Sequence, residues 1–463
     1  MRIYLKSVLI LALSHVSVNT FAQQIISLKE GINIAVQQYP VVKAKQAQVK
    51  ASEDLLFASR RDQLPNVNFS VQQDYGTING TNGPLYGFGG LAVASSGPAL
   101  GNQNWNAAFG SLYLTNVNWD FFSFGRYREK NKVAQQELRR DVKDYEQELF
   151  EHKIRVAAAY LNVIASHQIT DSYQKNMNRA DSIRFIVTTR VKNGLVAGVD
   201  SSLANAEYSS SRILYTNALN NEKEQKNTLA KLMGMDNADF GIDTTFISKV
   251  PAIYTDTVLE TEMHPVLQYY KSIIDVSNQQ VNYLKTQYYP TFSLVGVFQT
   301  RGSGFENTYG SDLSAYTQNY WNGVKPVHSN YLIGVGVNWN IMNPVRFSKK
   351  VSAQRHLSES LEESYKTAAL EIKAQMRISS DKMSAALSNY HEAPIQVKAA
   401  ADAYLQKTVL YKNGLTTMVD VMQAANTLIR AETDRDIANN NVWQALLLKA
   451  AAAGNFDLFE GQL

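Results

Sequence analysis

The stretch KNGLVAGVD at residues 192–200 occurs a second time, as KNGLTTMVD at residues 412–420. The two copies are 220 residues apart (412 − 192), and other local patterns keep almost the same offset. These patterns are the proline pairs Pro40/Pro265 and Pro65/Pro290, each 225 apart, and the pair Trp119/Trp339, 220 apart. This agreement predicts an internal duplication, in which one structural unit is written twice along the chain.

The shared offset divides the chain into two predicted repeats, at residues 23–235 and 261–454. Residues 236–260 form a linker rich in Asp and Thr, and residues 455–463 form a C-terminal tail. Each repeat is predicted to contain a helix, a strand, a long loop, a second strand and a long helical hairpin, in that order. The predicted strands are residues 66–75, 107–122, 291–300 and 331–342, and the predicted loops are residues 76–105 and 301–329.

The first helix of each repeat has recognisable start and stop signals. Ser27 and Glu30 have the spacing of a capping box, in which the serine caps the helix N-terminus. Apolar and small residues then follow at helical spacing towards Leu64. Pro65 ends this helix, and Pro290 ends its counterpart in the second repeat.

The helical hairpins are predicted to be very long. Residues 127–190 contain no proline and predict a helix on the order of 95 Å long, and residues 201–233 predict a second helix. The second repeat is expected to match this pattern over residues 347–453, with a break or bend at Pro394. Helices of this length favour coiled-coil packing over the interior of a compact domain.

The predicted strands alternate between two chemical types. One side carries Tyr113, Thr115, Val117, Trp119 and Phe121 in the first repeat, and Tyr331, Ile333, Val335, Val337, Trp339 and Ile341 in the second. The other side is small or polar in most positions. This period-two pattern is typical of a barrel wall with lipid outside and water inside. The set Trp119, Phe121, Phe122 and Trp339 is placed as an aromatic girdle at the membrane interface would be.

Four strands are too few to close a barrel, for which about eight are needed. Within hydrocarbon, the open edges of a sheet would leave backbone groups unbonded at several kcal/mol each. One chain is therefore incomplete as a membrane element. Two chains would supply eight strands and three would supply twelve, and the strand pattern alone does not choose between them.

The N-terminus predicts export. A basic start, an apolar segment and small residues at Thr20 and Ala22 indicate a secretory signal peptide over residues 1–22. The chain has no cysteine, which excludes a lipid anchor and disulfides. After the signal peptide, no apolar run reaches the ~18 residues of a membrane-spanning helix. The net charge is +4 without a basic block, so nucleic-acid binding is not expected.

Enzymatic chemistry is not expected either. The sequence holds no metal-binding motif, phosphate-binding loop or nucleophile elbow, so neither a cofactor nor a metal site is predicted. Two rival classes stay open: a coiled-coil surface or scaffold protein without a pore, and a secreted helical enzyme. The enzyme is disfavoured because no acid, base or nucleophile constellation clusters in the sequence.

The ordered motifs resemble the TolC-like outer-membrane efflux proteins over nearly the whole mature chain. The motifs that carry the resemblance are the capping box at residues 27–30, Tyr39-Pro40, Leu64-Pro65 and the two tip stretches at residues 192–200 and 412–420. The resemblance implies an α+β membrane protein: a homotrimer with a twelve-stranded β-barrel, four strands from each chain, continued by an α-helical coiled-coil barrel across the periplasm. The loops between the strands would then be extracellular.

The resemblance also implies partners for the two tips. The tip residues Asn193, Gly194, Leu195, Asn413, Gly414 and Leu415 are expected at the periplasmic entrance, where an adaptor (membrane fusion) protein docks. The energy would come from an inner-membrane pump of the RND, ABC or MFS type. Multidrug or other small-molecule efflux and type I protein secretion use the same kind of duct, and the sequence does not separate them. The linker at residues 236–260 is expected in an equatorial belt outside the tunnel.

A further implication of the resemblance is a gate near the tips, closed by polar links between hairpins and by rings of acidic side chains. Matched position by position, Tyr411 and Asp200 would form one link and Asp420 would supply a ring acid. The chain departs from the pattern at Thr416, where a linking arginine is expected, and at Gln423, where a second ring acid is expected.

The threonine partner of that arginine is replaced as well, by Val199. The resemblance therefore predicts that one link is absent and that the ring carries one carboxylate per chain. The gate is then expected either to close differently or to be held less tightly. For Asp420, an alternative is a role as the N-cap of the last long helix.

Overall fold

The structure is a computed structural model that describes residues 25–80, 97–244, 251 and 261–463. The predicted signal peptide lies outside the described residues. So do residues 81–96 of the first predicted loop, and residues 245–250 and 252–260 of the predicted linker.

The described chain is mainly helical, with one sheet of four strands and a second of two short strands. In chain order the elements are β1 (Ile25–Ile26), α1 (Leu28–Gln38), α2 (Pro40–Arg61), β2 (Asn66–Thr77), β3 (Ala107–Phe122), α3 (Arg126–Lys192), α4 (Gly198–Met233), β4 (Gly241–Ile242), α5 (Pro265–Thr286), β5 (Thr291–Ser303), α6 (Tyr320–Val324), β6 (His328–Asn338), α7 (Asn343–Lys412), α8 (Met418–Ala453) and α9 (Asp457–Glu460). Apart from the short elements, the same order occurs twice, as the duplication predicts.

The chain folds into two compact units. The helical unit comprises the described parts of residues 1–51, 139–273 and 361–463, and the sheet unit comprises those of residues 52–138 and 274–360. The long helices α3 and α7 each contribute residues to both units.

The sheet unit contains four antiparallel strands in the order β2-β3-β5-β6. Val67 is opposite Val117, which is opposite Gly296, which in turn is opposite Ile333. Because side chains alternate along each strand, this register places all four residues on one face of the sheet. The strands β2 and β6 form its two edges.

The two faces of this sheet differ chemically. The apolar face carries Val67, Phe69, Val71 and Tyr75 of β2, Phe109, Tyr113, Val117 and Trp119 of β3, Phe292, Leu294 and Phe298 of β5, and Tyr331, Ile333, Val335 and Val337 of β6. The polar face carries Asn66, Asn68, Ser70, Gln72, Asp74, Asn116, Asn118, Ser293, Gln299, Arg301, His328, Asn330 and Asn338, together with Leu112, Leu114, Val295, Val297 and Leu332.

The largest core cluster lies in the helical unit and includes Trp443, which is 1% exposed. Tyr160 in the same cluster is fully buried, and its Oη donates to the carbonyl of Ile26 at 2.7 Å. The same oxygen accepts from the backbone N–H of Asp243 at 2.9 Å. Tyr160 therefore stabilises the parallel pair formed by β1 and β4, since its hydrogen bonds offset the cost of burying the hydroxyl.

The helix predicted from Ser27 towards Leu64 is divided in two. Ser27 caps α1 as predicted, and its Oγ accepts from the backbone N–H of Glu30 at 3.2 Å. At Tyr39, however, the backbone is extended, with φ −64° and ψ 124°. The reason is Pro40, because a proline disfavours the helical conformation of the residue before it. Pro40 then starts α2, as a first-turn proline can.

The strand predicted at residues 331–342 is placed differently: β6 begins at His328 and ends at Asn338. Asn340 ends it with an Asx turn, in which its Oδ1 accepts from the N–H of Met342 at 3.1 Å. The loop predicted at residues 301–329 is correspondingly shorter, because Arg301 pairs with His328, and it contains α6. The strand β2 also extends to Thr77, two residues beyond its predicted end.

Pro394 does not break its helix, contrary to one of the two outcomes predicted. It lies within α7, which continues from Asn343 to Lys412. Within the described residues, no helix is both long and apolar enough to cross a membrane.

Candidate functional site: the two hairpin tips

Both hairpin tips are built on the same backbone turn. Gly194 has φ +70° and Gly414 has φ +75°, a left-handed conformation that favours glycine. The N–H of Leu195 donates to the carbonyl of Arg190 at 2.9 Å, and the N–H of Leu415 donates to the carbonyl of Leu410 at 2.9 Å. These are the six-residue closures of a Schellman motif, which explains why glycine follows asparagine at both tips.

Each tip exposes a pair of apolar side chains four residues apart in the sequence. Leu195 and Leu415 are 65% and 72% exposed, and Val199 and Val419 are 62% and 59% exposed. The sequence predicted the two leucines as docking residues, but it did not predict a docking role for the two valines. The duplication places the same apolar pair at both tips.

A small apolar cluster packs the two hairpins of one chain against each other behind the tips. It contains Val187 of α3, Ala204 of α4, Tyr411 of α7, and Met418 and Val421 of α8. All five are at least 90% buried. The polar groups described next therefore lie on hairpins that are already in contact.

Asp420 is part of a capping box at the start of α8. Its Oδ2 accepts from Thr416 Oγ1 and Thr417 Oγ1, both at 2.7 Å, while Thr417 is the N-cap. These hydrogen bonds hold the pKa of the Asp420 carboxyl well below its usual range. The alternative prediction that Asp420 itself is the N-cap is wrong by three positions, because the threonine before Met418 takes that place.

Asp200 occupies the equivalent position of the first tip and has a different partner. Its Oδ2 accepts from Tyr411 Oη at 3.0 Å, which joins the first tip to the end of α7. Burial raises the pKa of Tyr411 to about 12, and the hydrogen bond to Asp200 acts in the same direction. The phenol therefore stays a donor far above neutral pH.

The two tips differ because their capping residues differ. In the first tip the N-cap is Ala197, which makes no side-chain cap, and the residue before it is Val196. Neither can donate a side-chain hydrogen bond to Asp200, whereas Thr416 and Thr417 both donate to Asp420. The local sequence thus leaves the carboxylate of Asp200 available for Tyr411.

Arg190 supplies a second link between the hairpins that sequence reasoning missed. Its Nη1 donates to the carbonyls of Tyr411 at 3.1 Å and Lys412 at 2.7 Å, and its guanidinium lies 5.7 Å from the ring centre of Tyr411. These carbonyls belong to the last turn of α7, where a cation is favoured by the helix dipole. The arginine expected at position 416 is absent, but an arginine ten residues before Asp200 bridges the same two hairpins.

The remaining predicted tip residues make local contacts. Gln423 is exposed, and Asn193 is exposed with its N–H bonded to the carbonyl of Thr189. Asn413 donates from Nδ2 to the carbonyl of Val409 at 3.0 Å. Of the five predicted gate residues, the structure therefore brings Asp200 to Tyr411 and Thr416 to Asp420, and leaves Gln423 apart.

In the sheet unit, the two predicted girdle tryptophans make the same hydrogen bond. Trp119 Nε1 donates to the carbonyl of Gln63 at 2.8 Å, and Trp339 Nε1 donates to the carbonyl of Tyr288 at 3.1 Å. Each acceptor lies two residues before the proline that follows its helix. Trp339 lies just beyond the end of β6, so it is not a strand residue. Phe121 and Phe122 lie at the end of β3 and are 39% and 48% exposed.

We expect Trp119→Phe and Trp339→Phe each to lower the free energy of unfolding by about 1 kcal/mol, the net value of one hydrogen bond. Phenylalanine keeps the ring but removes the N–H donor. Urea titrations of the purified protein would measure the change. Trp105→Phe is the matched control, since Trp105 is 80% exposed. Equal stability of all three variants would exclude a role for the indole N–H.

The duplicated long hairpins and the two-faced four-stranded sheet define the α+β fold class of TolC-like channels. The family model described as outer membrane efflux protein matches residues 31–235 and 261–454. The chain belongs to this family. No curated protein matches the chain in a sequence search.

Several solved structures share this fold, and outer-membrane channels are among them. CusC aligns with a TM-score of 0.75 and 12% identity over 95% of this chain and 96% of its own. VceC from Vibrio cholerae aligns with a TM-score of 0.71 and 16% identity, over 92% and 96%. The open state of MtrE from Neisseria gonorrhoeae aligns with a TM-score of 0.71 and 15% identity, over 92% and 89%. At sequence identities of 12–16%, these alignments show a shared fold.

Proposed function

We propose that three copies of this chain form the outer-membrane channel of a tripartite efflux system. The channel carries substrates from an inner-membrane pump and a periplasmic adaptor across the periplasm and the outer membrane. The observation that carries this proposal is the sheet, which has one apolar face on all four strands and two edges without a partner strand among the described residues.

The apolar face fits a lipid environment. Phe69, Tyr331 and Ile333 are 71%, 81% and 73% exposed in the single chain. A contiguous apolar surface spread over four strands is unfavourable in water and favourable against hydrocarbon. The opposite face, rich in Asn, Gln and Ser, fits a water-filled lumen.

The open edges require further copies of the chain. The backbone groups of β2 and β6 that point away from the sheet would be unbonded in lipid at several kcal/mol each. Pairing β2 of one chain with β6 of the next satisfies both edges, and a ring of copies leaves no edge. Four strands from each of three chains give the twelve-stranded barrel that the family resemblance implies.

The hairpin tips fit the docking of a periplasmic adaptor. Leu195 with Val199, and Leu415 with Val419, present equivalent apolar pairs at both tips. Two similar sites on each of three chains match an adaptor ring of six subunits. The energy for transport comes from the pump, whether of the RND, ABC or MFS type, and the channel itself performs no catalysis.

We expect the double variant Leu195→Ser/Leu415→Ser to abolish transport in cells while the purified channel keeps its conductance. Both leucines are exposed, so their loss removes a contact surface without opening a core. Crosslinking of the adaptor to the channel would report docking directly. Exposed Leu214, away from the tips, supplies the control variant Leu214→Ser. Unchanged transport in the tip variant would contradict the docking role.

The contacts of Asp200 and Arg190 with the end of α7 fit a gate at the periplasmic entrance. Both contacts tie the first hairpin to the second within one chain. If the hairpins separate when the entrance opens, these contacts stabilise the closed state. Asp420 is tied into its own capping box, so we propose that its main role is to stabilise the second tip.

Making the first tip resemble the second separates helix capping from the gate contact. We expect Val196→Thr/Ala197→Thr to stabilise the start of α4 by about 0.5–2 kcal/mol, because Ala197 provides no cap. The new hydroxyls would also compete with Tyr411 for Asp200. The expected result is a more stable protein with a higher conductance. A stabilised protein with unchanged conductance would remove Asp200 from the gate.

The proposal is tested by reconstituting the purified protein in planar bilayers. A channel gives discrete ion conductance and a heat-modifiable oligomer band in outer-membrane fractions. A coiled-coil scaffold gives neither, and that result would overturn the proposal. The choice between small-molecule efflux and type I secretion depends on the pump, so the neighbouring genes would identify it.

A further inference from the structure

The connection between β5 and β6 folds back onto the sheet. Its last part, residues 320–327, comprises α6 and the three residues after it, and is called the flap below. Asn319 caps α6, with its side chain accepting from the N–H of Asn322 at 3.2 Å. The N–H of Val327 donates to the carbonyl of Arg301 at 2.8 Å, which anchors the far end of the flap to β5.

The flap contacts the apolar face of the sheet. The carbonyl of Val324 accepts from Ser111 Oγ at 2.9 Å and from Tyr113 Oη at 3.3 Å. Tyr320 Oη donates to Gln73 Oε1 at 2.8 Å. By the strand register, Gln73, Ser111 and Tyr113 all point to the apolar side.

Two glycines allow the flap to approach closely. A Cβ on Gly302 of β5 would lie 2.5 Å from the carbonyl oxygen of Lys325, and a Cβ on Gly323 of α6 would collide with the backbone of Phe109. Any other residue at either position would push the flap away from the sheet. Both the sheet and the flap therefore carry a glycine that permits their close contact.

The flap contacts a polar region at one end of the apolar face. At this end of the sheet the face carries Gln73, Ser111, Thr300 and Ser329. Ser111 is 6% exposed and bonded to Val324, and Gln73 is bonded to Tyr320. Unbonded polar side chains would be costly next to lipid. The flap supplies hydrogen-bond partners for Gln73 and Ser111, and Ser329 and Thr300 bond to each other.

The outer side of the flap presents the chemistry of a membrane interface. Trp321 is 74% exposed and Val327 is 59% exposed, and the exposed Lys325 lies between them. An aromatic ring, an aliphatic side chain and a cation are the combination that anchors proteins at the level of lipid headgroups.

The position of the flap along β3 agrees with a location at the membrane interface. Trp119 and Phe109 lie ten residues apart on β3, about 33 Å along a strand that rises ~3.3 Å per residue. A barrel strand tilted by ~40° converts this into about 25 Å, the height of the apolar band of an outer-membrane barrel. Tyr320 packs on Phe109 with ring centres 5.2 Å apart, so the flap lies at the opposite rim from Trp119.

We propose that the flap is an external membrane anchor. It lies on the outer wall of the barrel and places Trp321 and Val327 in the interfacial layer of the outer leaflet. This inference rests on the proposed function, because it takes the apolar face to be the lipid-facing wall. It adds a lipid-contacting element at the second rim, where the sequence predicted only an extracellular loop.

The absence of cysteine makes a single-cysteine experiment direct. We would place a nitroxide label at Trp321→Cys, with Val327→Cys as a second flap position, in the full-length protein in liposomes. Val335→Cys on the apolar face and Leu332→Cys on the polar face test the wall itself, and Leu313→Cys samples the same connection outside the flap. Accessibility to oxygen reports lipid, and accessibility to a water-soluble nickel chelate reports water.

The expected result is lipid exposure at Val335, water exposure at Leu332, and a severalfold higher ratio of oxygen to nickel accessibility at Trp321 and Val327 than at Leu313. If Val335 is lipid-exposed but both flap positions behave like Leu313, the flap inference is overturned while the channel stands. If Val335 is water-exposed, the proposed function fails, and the flap inference fails with it.

Discussion

Replacing Arg190 with Ala and Tyr411 with Phe in the same chain is expected to convert a mostly closed channel into a mostly open one. The double variant removes the guanidinium contacts with the end of α7 and the hydroxyl contact with Asp200. At about 1 kcal/mol for each link, two links in each of three chains amount to about 6 kcal/mol. A shift of ~5.5 kcal/mol is enough to change a 1:99 population into 99:1.

Single-channel recording in planar bilayers would measure this change as a rise in mean conductance that approaches about a hundredfold, since the open fraction rises from about 1% to about 99%. Lys192→Ala is the matched control, because Lys192 is an exposed cation on the same helix end as Arg190. Thr416→Ala is a second control, which weakens the capping of the other tip without touching either link. A folded double variant that conducts like the unaltered protein would show that these contacts do not control the gate.

The second large effect is expected from adjacent residues on opposite faces of β6. Ile333 lies on the apolar face and Leu332 on the polar face, and both are well exposed in the single chain. An arginine on the lipid side of a barrel costs about 2–4 kcal/mol near the bilayer midplane, whereas one in the lumen is solvated. Ile333→Arg should therefore prevent most chains from folding into membranes, and Leu332→Arg should not.

The fraction of heat-modifiable oligomer after refolding into liposomes measures this difference. Leu332→Arg serves as the internal control, because it adds the same side chain at the next position of the same edge strand. It should also shift ion selectivity towards anions, since the added charge lies in the lumen. Equal folding of the two variants, or better folding of Ile333→Arg, would show that the faces are assigned wrongly.

Much of the fold was accessible from the sequence because its signals are local and repeated. The offset of 220–225 residues established the duplication, and the alternation along β3 predicted a two-faced strand whose bounds, residues 107–122, are those of the structure. The division at Tyr39 was missed, although Pro40 carried its signal. The earlier end of β6 was missed for a similar reason, since Asn340 can form an Asx turn.

The flap could not be predicted because its contacts are non-local. Nothing near Tyr320 in the sequence shows that its hydroxyl bonds to Gln73, 247 residues away. In the sequence, Gly302 and Gly323 cannot be told from ordinary glycines of a strand end and a loop. Only the structure shows how closely each approaches the opposing backbone.

For the gate, the motif comparison assigned Asp200 and Tyr411, and the structure places them in hydrogen-bond contact. The motif comparison also predicted that one link is lost at Thr416. It did not predict the link that Arg190 of α3 makes to the end of α7. The contact of Arg190 with the end of α7 depends on how the two hairpins pack, which no local pattern encodes. The differing caps, Ala197 against Thr417, were readable in the sequence and explain why the two aspartates differ.

The proposed channel requires that the sheet of one chain is completed by copies of the same chain. Native mass spectrometry of the detergent-extracted protein counts the copies directly. The expected result is a single species of three chains that survives dilution. A stable single chain that remains soluble without detergent would contradict it, because the sheet would then be stable without strands from other copies.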